Sequence, residues 1–114
     1  MNSFSALREC ELARTNSKNV SDAIEKEDWD SVLIRYQDVA KNLNELLHCN
    51  IRFDDEVRTA LEAGLAIVAH NCGVLDKLRL DAPAKLTRGK QFSALRKLDP
   101  IMSKVHFNLE RLSQ

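Results

Sequence analysis

The chain has 114 residues, and its 17 Lys and Arg side chains balance 17 Asp and Glu side chains, so its formal net charge is zero. Apolar residues make up 44% and charged residues 30%, a mixture that excludes a collagen-like, wholly disordered or disulfide-stapled chain. Three Gly and two Pro are too few for a sandwich or barrel with many hairpins, and too few for a Gly-rich phosphate loop. These properties predict one all-α domain spanning residues 1–114.

The first predicted helix spans residues 4–26 and has a weak apolar pattern. Its apolar side chains recur at Phe4, Leu7, Cys10 or Ala13, Val20 and Ile24. The middle of the segment, Thr15-Asn16-Ser17, is a poor helix former, so we expect a kink there.

The second predicted helix begins at Asp28-Trp29-Asp30 and has the clearest pattern. Its apolar side chains recur three and four residues apart over about five helical turns, at Trp29, Val32, Leu33, Tyr36, Val39, Ala40, Leu43, Leu46 and Leu47. A carboxylate at Asp28 or Asp30 can accept the free backbone N–H groups of the first turn, so we expect one of them to cap the helix. Trp29 is in phase with Leu33, which predicts a structural role at the turn.

The third predicted helix runs from Asp54-Asp55-Glu56 to about Leu80. It carries two apolar rows: Val57, Leu61, Leu65, Val68, Cys72 and Leu75 in one, and Ala60, Gly64, Ile67, Val74 and Leu78 in the other. Residues 63–69 contain no charged side chain, so neighbouring helices or a partner must cover this helix on two sides. The short connection at 50–53 makes the second and third helices antiparallel neighbours.

The last part of the chain has the weakest pattern. Asp81-Ala82-Pro83 predicts the end of the third helix, and residues 84–91 read as a loop. Phe92, Leu95 and Leu98 predict one or two helical turns, and Asp99-Pro100 predicts the cap and first residue of a final helix. The predicted fold is an antiparallel bundle of three long helices plus a shorter C-terminal helix. Within it, we expect residues 84–114 to be less tightly held and able to move.

Residues suited to metal binding or catalysis are present but poorly arranged. His48-Cys49 and His70-Asn71-Cys72 are close in sequence, yet helix neighbours one or two apart point in different directions and cannot chelate one ion. The cysteines lie in helical patterns instead of strained loops, and the acidic clusters lie at helix N-termini, where carboxylates stabilise the helix. We therefore predict no metal site, no cofactor and no catalytic centre.

The apolar runs and the cysteines bear on cellular location. The longest apolar run, residues 65–69, is far below the roughly 18 residues that span a membrane, and residues 1–5 lack the features of a signal peptide. Three cysteines, an odd number, suit reduced thiols. These observations predict a cytoplasmic protein that does not insert in membranes.

Charge is unevenly distributed along the chain. Residues 1–57 carry a net charge of −5 and residues 58–114 a net charge of +5. Seven cations face one acid between residues 77 and 98: Lys77, Arg79, Lys85, Arg88, Lys90, Arg96 and Lys97 against Asp81. This basic 77–97 stretch could bind nucleic acid, an acidic partner or the acidic first half of the same chain, and the near-neutral isoelectric point and scarce aromatic residues count against nucleic acid.

Residues 20–33, Val-Ser-Asp-Ala-Ile-Glu-Lys-Glu-Asp-Trp-Asp-Ser-Val-Leu, carry a family resemblance. A helix that ends in charges, an Asp28-Trp29-Asp30 turn and an amphipathic helix resemble the flagellar export chaperones of the FliT type, which are helical and about this length. The resemblance implies a chaperone that holds the C-terminal segment of the flagellar filament-cap protein and delivers it to the export ATPase complex. It also implies contact with a transcriptional regulator in some bacteria, and a structural role for these three turn residues.

The resemblance and the apolar rows together suggest recognition of a client segment in a groove. The predicted partner-binding residues are Ile67, Val74, Leu78, Leu95, Leu98, Ile101 and Val105, the last four being supplied or withdrawn by the C-terminal helix. Two alternatives stay open. One is a helical adaptor in which the second apolar row of the third helix is a homodimer seam, and the other is a regulator that contacts a transcription factor or nucleic acid through the basic 77–97 stretch.

Overall fold

Four long α-helices make up most of the computed structural model, which describes residues 1–113. They are α1 (Ser3–Glu25), α2 (Trp29–Leu47), α3 (Asp55–Asp81) and α4 (Arg88–Leu112). A single 3-10 turn, Pro83–Lys85, lies between α3 and α4. The predicted all-α helical bundle is confirmed.

The helices form a closed ring in which each packs against two neighbours. Helix α1 contacts α2 and α4, and α3 contacts α2 and α4. Arg14 donates to Ser103 at 2.8 Å near the middle of the α1–α4 pair, while Arg88 lies 3.8 Å from Glu25 at one end, so these helices run antiparallel. Short connections give the other neighbouring pairs the same arrangement.

The core runs along the axis of this ring and draws on all four helices. Its largest fully buried side chains include Ile24 of α1, Tyr36 of α2, Leu61 of α3 and Leu98 of α4. Gly64 lies at a close approach of α3 to α4, because a Cβ atom there would lie 3.2 Å from Cγ2 of Ile101. Within residues 1–113, no helix is both long enough and apolar enough for a membrane crossing.

The prediction that the C-terminal helix, α4, is shorter than the others is wrong. It has 25 residues, against 19 in α2, and it begins at Arg88, within the segment predicted as a loop. Thr87 is its N-cap, with the side-chain oxygen accepting from the Lys90 amide. Asp99-Pro100 lies inside α4 and does not begin a helix. Because proline has no amide hydrogen, the carbonyl of Arg96, four residues earlier, receives no hydrogen bond within the helix. Both Pro100 and Arg96 are exposed, so water can hydrate this carbonyl.

The other helix boundaries follow the sequence signals. Asp28 caps α2, and its carboxylate accepts from the amide of Ser31 at 3.2 Å and from its hydroxyl at 2.8 Å. Helix α1 is continuous through the weak helix formers at residues 15–17. There the hydroxyl of Ser17 is buried and donates to the carbonyl of Ala13, so tertiary packing overrides the local preference.

Candidate functional site

The groove between α3 and α4 is the first candidate site, because it contains two of the predicted partner-binding residues. We call it the α3–α4 groove. Its lining side chains are His70, Asn71, Val74 and Leu78 of α3, residues 84–87 of the connection, and Lys90 and Gln91 of α4. Its volume is about 460 Å³. Val74 and Leu78 are half-buried, so they remain accessible to a partner.

A hydrogen-bonded layer forms the floor of the α3–α4 groove. The amide of Asn71 donates to the side-chain oxygen of Gln91 at 2.8 Å, and both residues are buried. The hydroxyl of Tyr36 donates to the backbone oxygen of Gln91 at 3.3 Å. Burial raises the pKa of Tyr36, which keeps this donor neutral. The layer thus ties α2 and α3 to the start of α4 and fixes the shape of the groove.

The rim of the α3–α4 groove is polar and cationic. Lys85 and Lys90 are exposed at its edge, together with His70 and Thr87. Neither lysine forms an ion pair with any residue in the described part of the chain. An apolar wall beneath two available ammonium groups suits an apolar side chain with a carboxylate next to it in sequence.

The remaining predicted partner-binding residues lie outside this groove. Leu95, Leu98 and Val105 are 9%, 0% and 1% exposed, because their face of α4 points into the core. Ile67 and Ile101 are half-buried, and Ile101 packs over Gly64. The structure therefore places two of the seven predicted partner-binding residues, Val74 and Leu78, in one groove. Three others could reach a partner only if α4 left the bundle.

The three turn residues that carried the family resemblance have structural contacts. Two hydrogen bonds from Ser31 lower the pKa of Asp28, whose carboxylate caps α2. Trp29 is half-buried against the core. Asp30 accepts a hydrogen bond from Arg79 at 3.0 Å, which ties the start of α2 to the end of α3.

The basic 77–97 stretch is partly neutralised within the chain. Arg79 pairs with Asp30 and Asp76, and Arg88 lies 3.4 Å from Glu27. The other five cations make no ion pair in the described part of the chain: Lys77, Lys85, Lys90, Arg96 and Lys97. Part of the charge therefore serves the fold, and part remains available to a ligand.

Asn71 and Gln91 were not predicted from the sequence as site residues, although they shape the α3–α4 groove. Polar residues on an apolar face are easily read as solvent-facing, and Gln91 fell in the segment predicted as a loop. The missed signal is the spacing of Gln91 from Leu95 and Leu98, in steps of four and three that continue to Leu109. Together with the Thr87 cap, this spacing predicts a helix that begins well before residue 92.

Burial makes the thiols of Cys10 and Cys72 less reactive. Burial raises the pKa of the Cys10 thiol to about 11, so the thiol stays protonated near neutral pH. Cys72 is half-buried and its pKa is also raised by burial. Across residues 1–113, no three His, Cys, Asp or Glu side chains are grouped so that they could hold a metal ion.

Comparison with models of protein families, with curated proteins and with solved structures found no match for this chain. The function implied by the resemblance of residues 20–33 therefore stays a prediction, and the case for a binding function rests on the geometry of the α3–α4 groove.

Proposed function

We propose that this protein is a flagellar export chaperone that binds the C-terminal segment of a filament-cap protein and delivers it to the export ATPase complex. The observation that carries the proposal is the α3–α4 groove, in which Val74 and Leu78 of the second apolar row of α3 remain accessible. The family resemblance of residues 20–33 supplies the identity of the client.

Binding would follow the helix-in-groove mode. An apolar client side chain enters between Val74 and Leu78, and a neighbouring client carboxylate meets Lys85 or Lys90 at the rim. The floor formed by Asn71 and Gln91 is already hydrogen-bonded, so client binding need not break that layer. A preformed groove keeps the cost of ordering low.

A pair of matched leucine variants tests this site. Leu78 lines the groove, whereas Leu80 lies two residues further along α3 and is 69% exposed. We expect Leu78→Glu to weaken binding of a cap-protein C-terminal peptide by about tenfold or more, since a carboxylate would replace apolar contact. Leu80→Glu carries the same change of charge and should bind as the unmodified chain does. Isothermal titration calorimetry measures both, with circular dichroism to check folding, and equal affinities would refute the site.

The proposed movement of α4 needs a separate test. Deleting α4 would remove a wall of the groove and a layer of the core together, so a reversible cross-link is the sharper experiment. A Cβ at residue 64 would lie 3.2 Å from Cγ2 of Ile101, so the double variant Gly64→Cys, Ile101→Cys brings two thiols together across α3 and α4, and oxidation can be checked by free-thiol titration. If the client needs α4 to open, the oxidised form should bind more weakly than the reduced form. Equal binding would show that the client uses the closed bundle.

The second candidate function is a regulator that contacts nucleic acid or a transcription factor. The five cations of the basic 77–97 stretch without ion pairs favour it. It predicts salt-dependent DNA binding that is lost when Lys85 and Lys90 become Glu.

Sedimentation over a range of concentrations tests the adaptor alternative, because a dimer seam would give a dimer without any client.

A further inference from the structure

A second groove lies on the other side of α4, between α4 and α1, and shares no residue with the α3–α4 groove. We call it the α1–α4 groove, and its volume is about 620 Å³. Its floor consists of Ser17, Leu95 and Met102, which are 5%, 9% and 2% exposed. The half-buried ring of Phe92 lines one end. The groove is therefore amphipathic, with an apolar base.

The walls of the α1–α4 groove are strongly cationic. Arg14 and Lys18 lie one helical turn apart on α1, and Arg96 lies on α4. Asp99 is the one acid among its lining residues, so the lining has a net charge of +2. None of these four side chains makes an ion pair with a described residue, although Arg14 donates to the hydroxyl of Ser103 at 2.8 Å. No ion pair within residues 1–113 offsets this excess charge.

We propose that the α1–α4 groove is a docking site for an acidic peptide segment that carries apolar side chains. Carboxylates of the segment would pair with Arg14, Lys18 and Arg96, and its apolar side chains would cover Leu95 and Phe92. The lining of α1 runs from Arg14 to Ser21, a span of about 10 Å along the helix axis. That length accommodates two turns of helix or a few extended residues. A compact inorganic anion would leave the apolar floor uncovered.

A fluorescent probe peptide of about 12 residues, with two leucines placed among glutamates, tests the proposal by anisotropy. We expect saturable binding to the full-length chain. The double variant Lys18→Glu, Arg96→Glu should weaken it by about tenfold. The control Lys41→Glu, Lys77→Glu changes the net charge equally at exposed lysines outside this groove and should stay within about twofold.

Two further comparisons separate charge from apolar contact. Asp99→Asn removes the one acid of the lining and should raise affinity for the probe by a few-fold. Replacing both leucines of the probe by serine should weaken binding, because the apolar floor would lose its partner.

The proposal is overturned if the probe does not bind, if the control variant weakens it as much as the groove variant does, or if the serine probe binds equally well. It is also overturned if single-stranded oligothymidylate binds the groove more tightly than the probe, which would point to nucleic acid. The α3–α4 groove also offers an apolar wall and free lysines, so the proposal is likewise overturned if Leu78→Glu weakens probe binding as much as Lys18→Glu, Arg96→Glu does. A loss confined to the Lys18 and Arg96 variant distinguishes this site from the α3–α4 groove.

Discussion

Replacing Leu98 by Ala should lower the free energy of unfolding by about 3 kcal/mol. Leu98 is fully buried on α4, in the part of the chain whose sequence predicts a loosely held helix. The substitution removes three carbon atoms, and transfer of that apolar volume alone accounts for about 2.4 kcal/mol, to which the cavity adds more. Domains of this size are stable by about 5–15 kcal/mol, so the loss should be plain.

The matched control is Leu80→Ala, which makes the same deletion at a side chain that is 69% exposed and should cost less than about 0.5 kcal/mol. Urea unfolding measures both, followed by far-ultraviolet circular dichroism and by fluorescence of Trp29, the sole tryptophan. The two signals should change together if α4 unfolds with the rest of the bundle. The reasoning is refuted if Leu98→Ala and Leu80→Ala shift the midpoint equally.

Four other predictions test local features. Gly73→Ala should stabilise α3 by about 0.5–1 kcal/mol, since a Cβ atom there meets nothing within 4 Å. Gly64→Ala should increase the stability less, because its Cβ atom would crowd the side chain of Ile101 on α4. The melting temperatures of the two variants test this difference. Glu27→Gly should raise the melting temperature, because residue 27 has φ of 53° at the end of α1, a conformation that Gly adopts without strain. Asp28→Ala should lower the melting temperature at neutral pH, and the difference should shrink as pH falls below about 4, because the carboxylate with the lowered pKa becomes protonated and stops capping α2. Tyr36, the sole tyrosine, should ionise only as the chain unfolds in alkali, and the free energy of unfolding should fall as pH rises above about 10, which absorbance titration can follow.

The sequence was most informative where local signals and tertiary packing agree. Helix α2 shows this best, because its cap at Asp28 and its apolar residues in steps of three and four all point to one helix. The start of α3 at Asp55 follows equally from the acids in its first turn. In such segments the helix boundary and the buried face can both be read from residue type and spacing.

The start of α4 was predicted wrongly because one local signal, Asp99-Pro100, opposed the apolar spacing that runs along the whole helix. Proline usually begins or ends a helix, so Asp99-Pro100 looked like an N-terminus. The buried spacing from Gln91 to Leu109 continues through Pro100, and the prolyl ring lies on the exposed side, where loss of a backbone donor costs least. Burial of Leu95, Leu98 and Met102 outweighs the lost hydrogen bond.

The candidate grooves were harder to predict than the fold, because they depend on which helices become neighbours. Val74 and Leu78 could be chosen from the apolar row of α3, but Gln91 reaches them only through the pairing of α3 with α4. In the same way, Lys18 and Arg96 are 78 positions apart in sequence and line one groove only because α1 closes the ring with α4.

The uneven distribution of charge along the chain corresponds to the division between α4 and the other three helices. Residues 1–81 carry a net charge of −5 and residues 82–114 a net charge of +5, so α4 is a cationic helix packed on an acidic three-helix body. Its ion pairs, such as Lys104 with Glu56 at 2.6 Å, are exposed, and exposed pairs contribute little to stability. The apolar layer around Leu98 therefore holds α4 in place, while its cations without ion pairs, such as Lys90 and Arg96, remain available to a ligand. Added salt should accordingly weaken ligand binding at both grooves far more than it lowers the melting temperature.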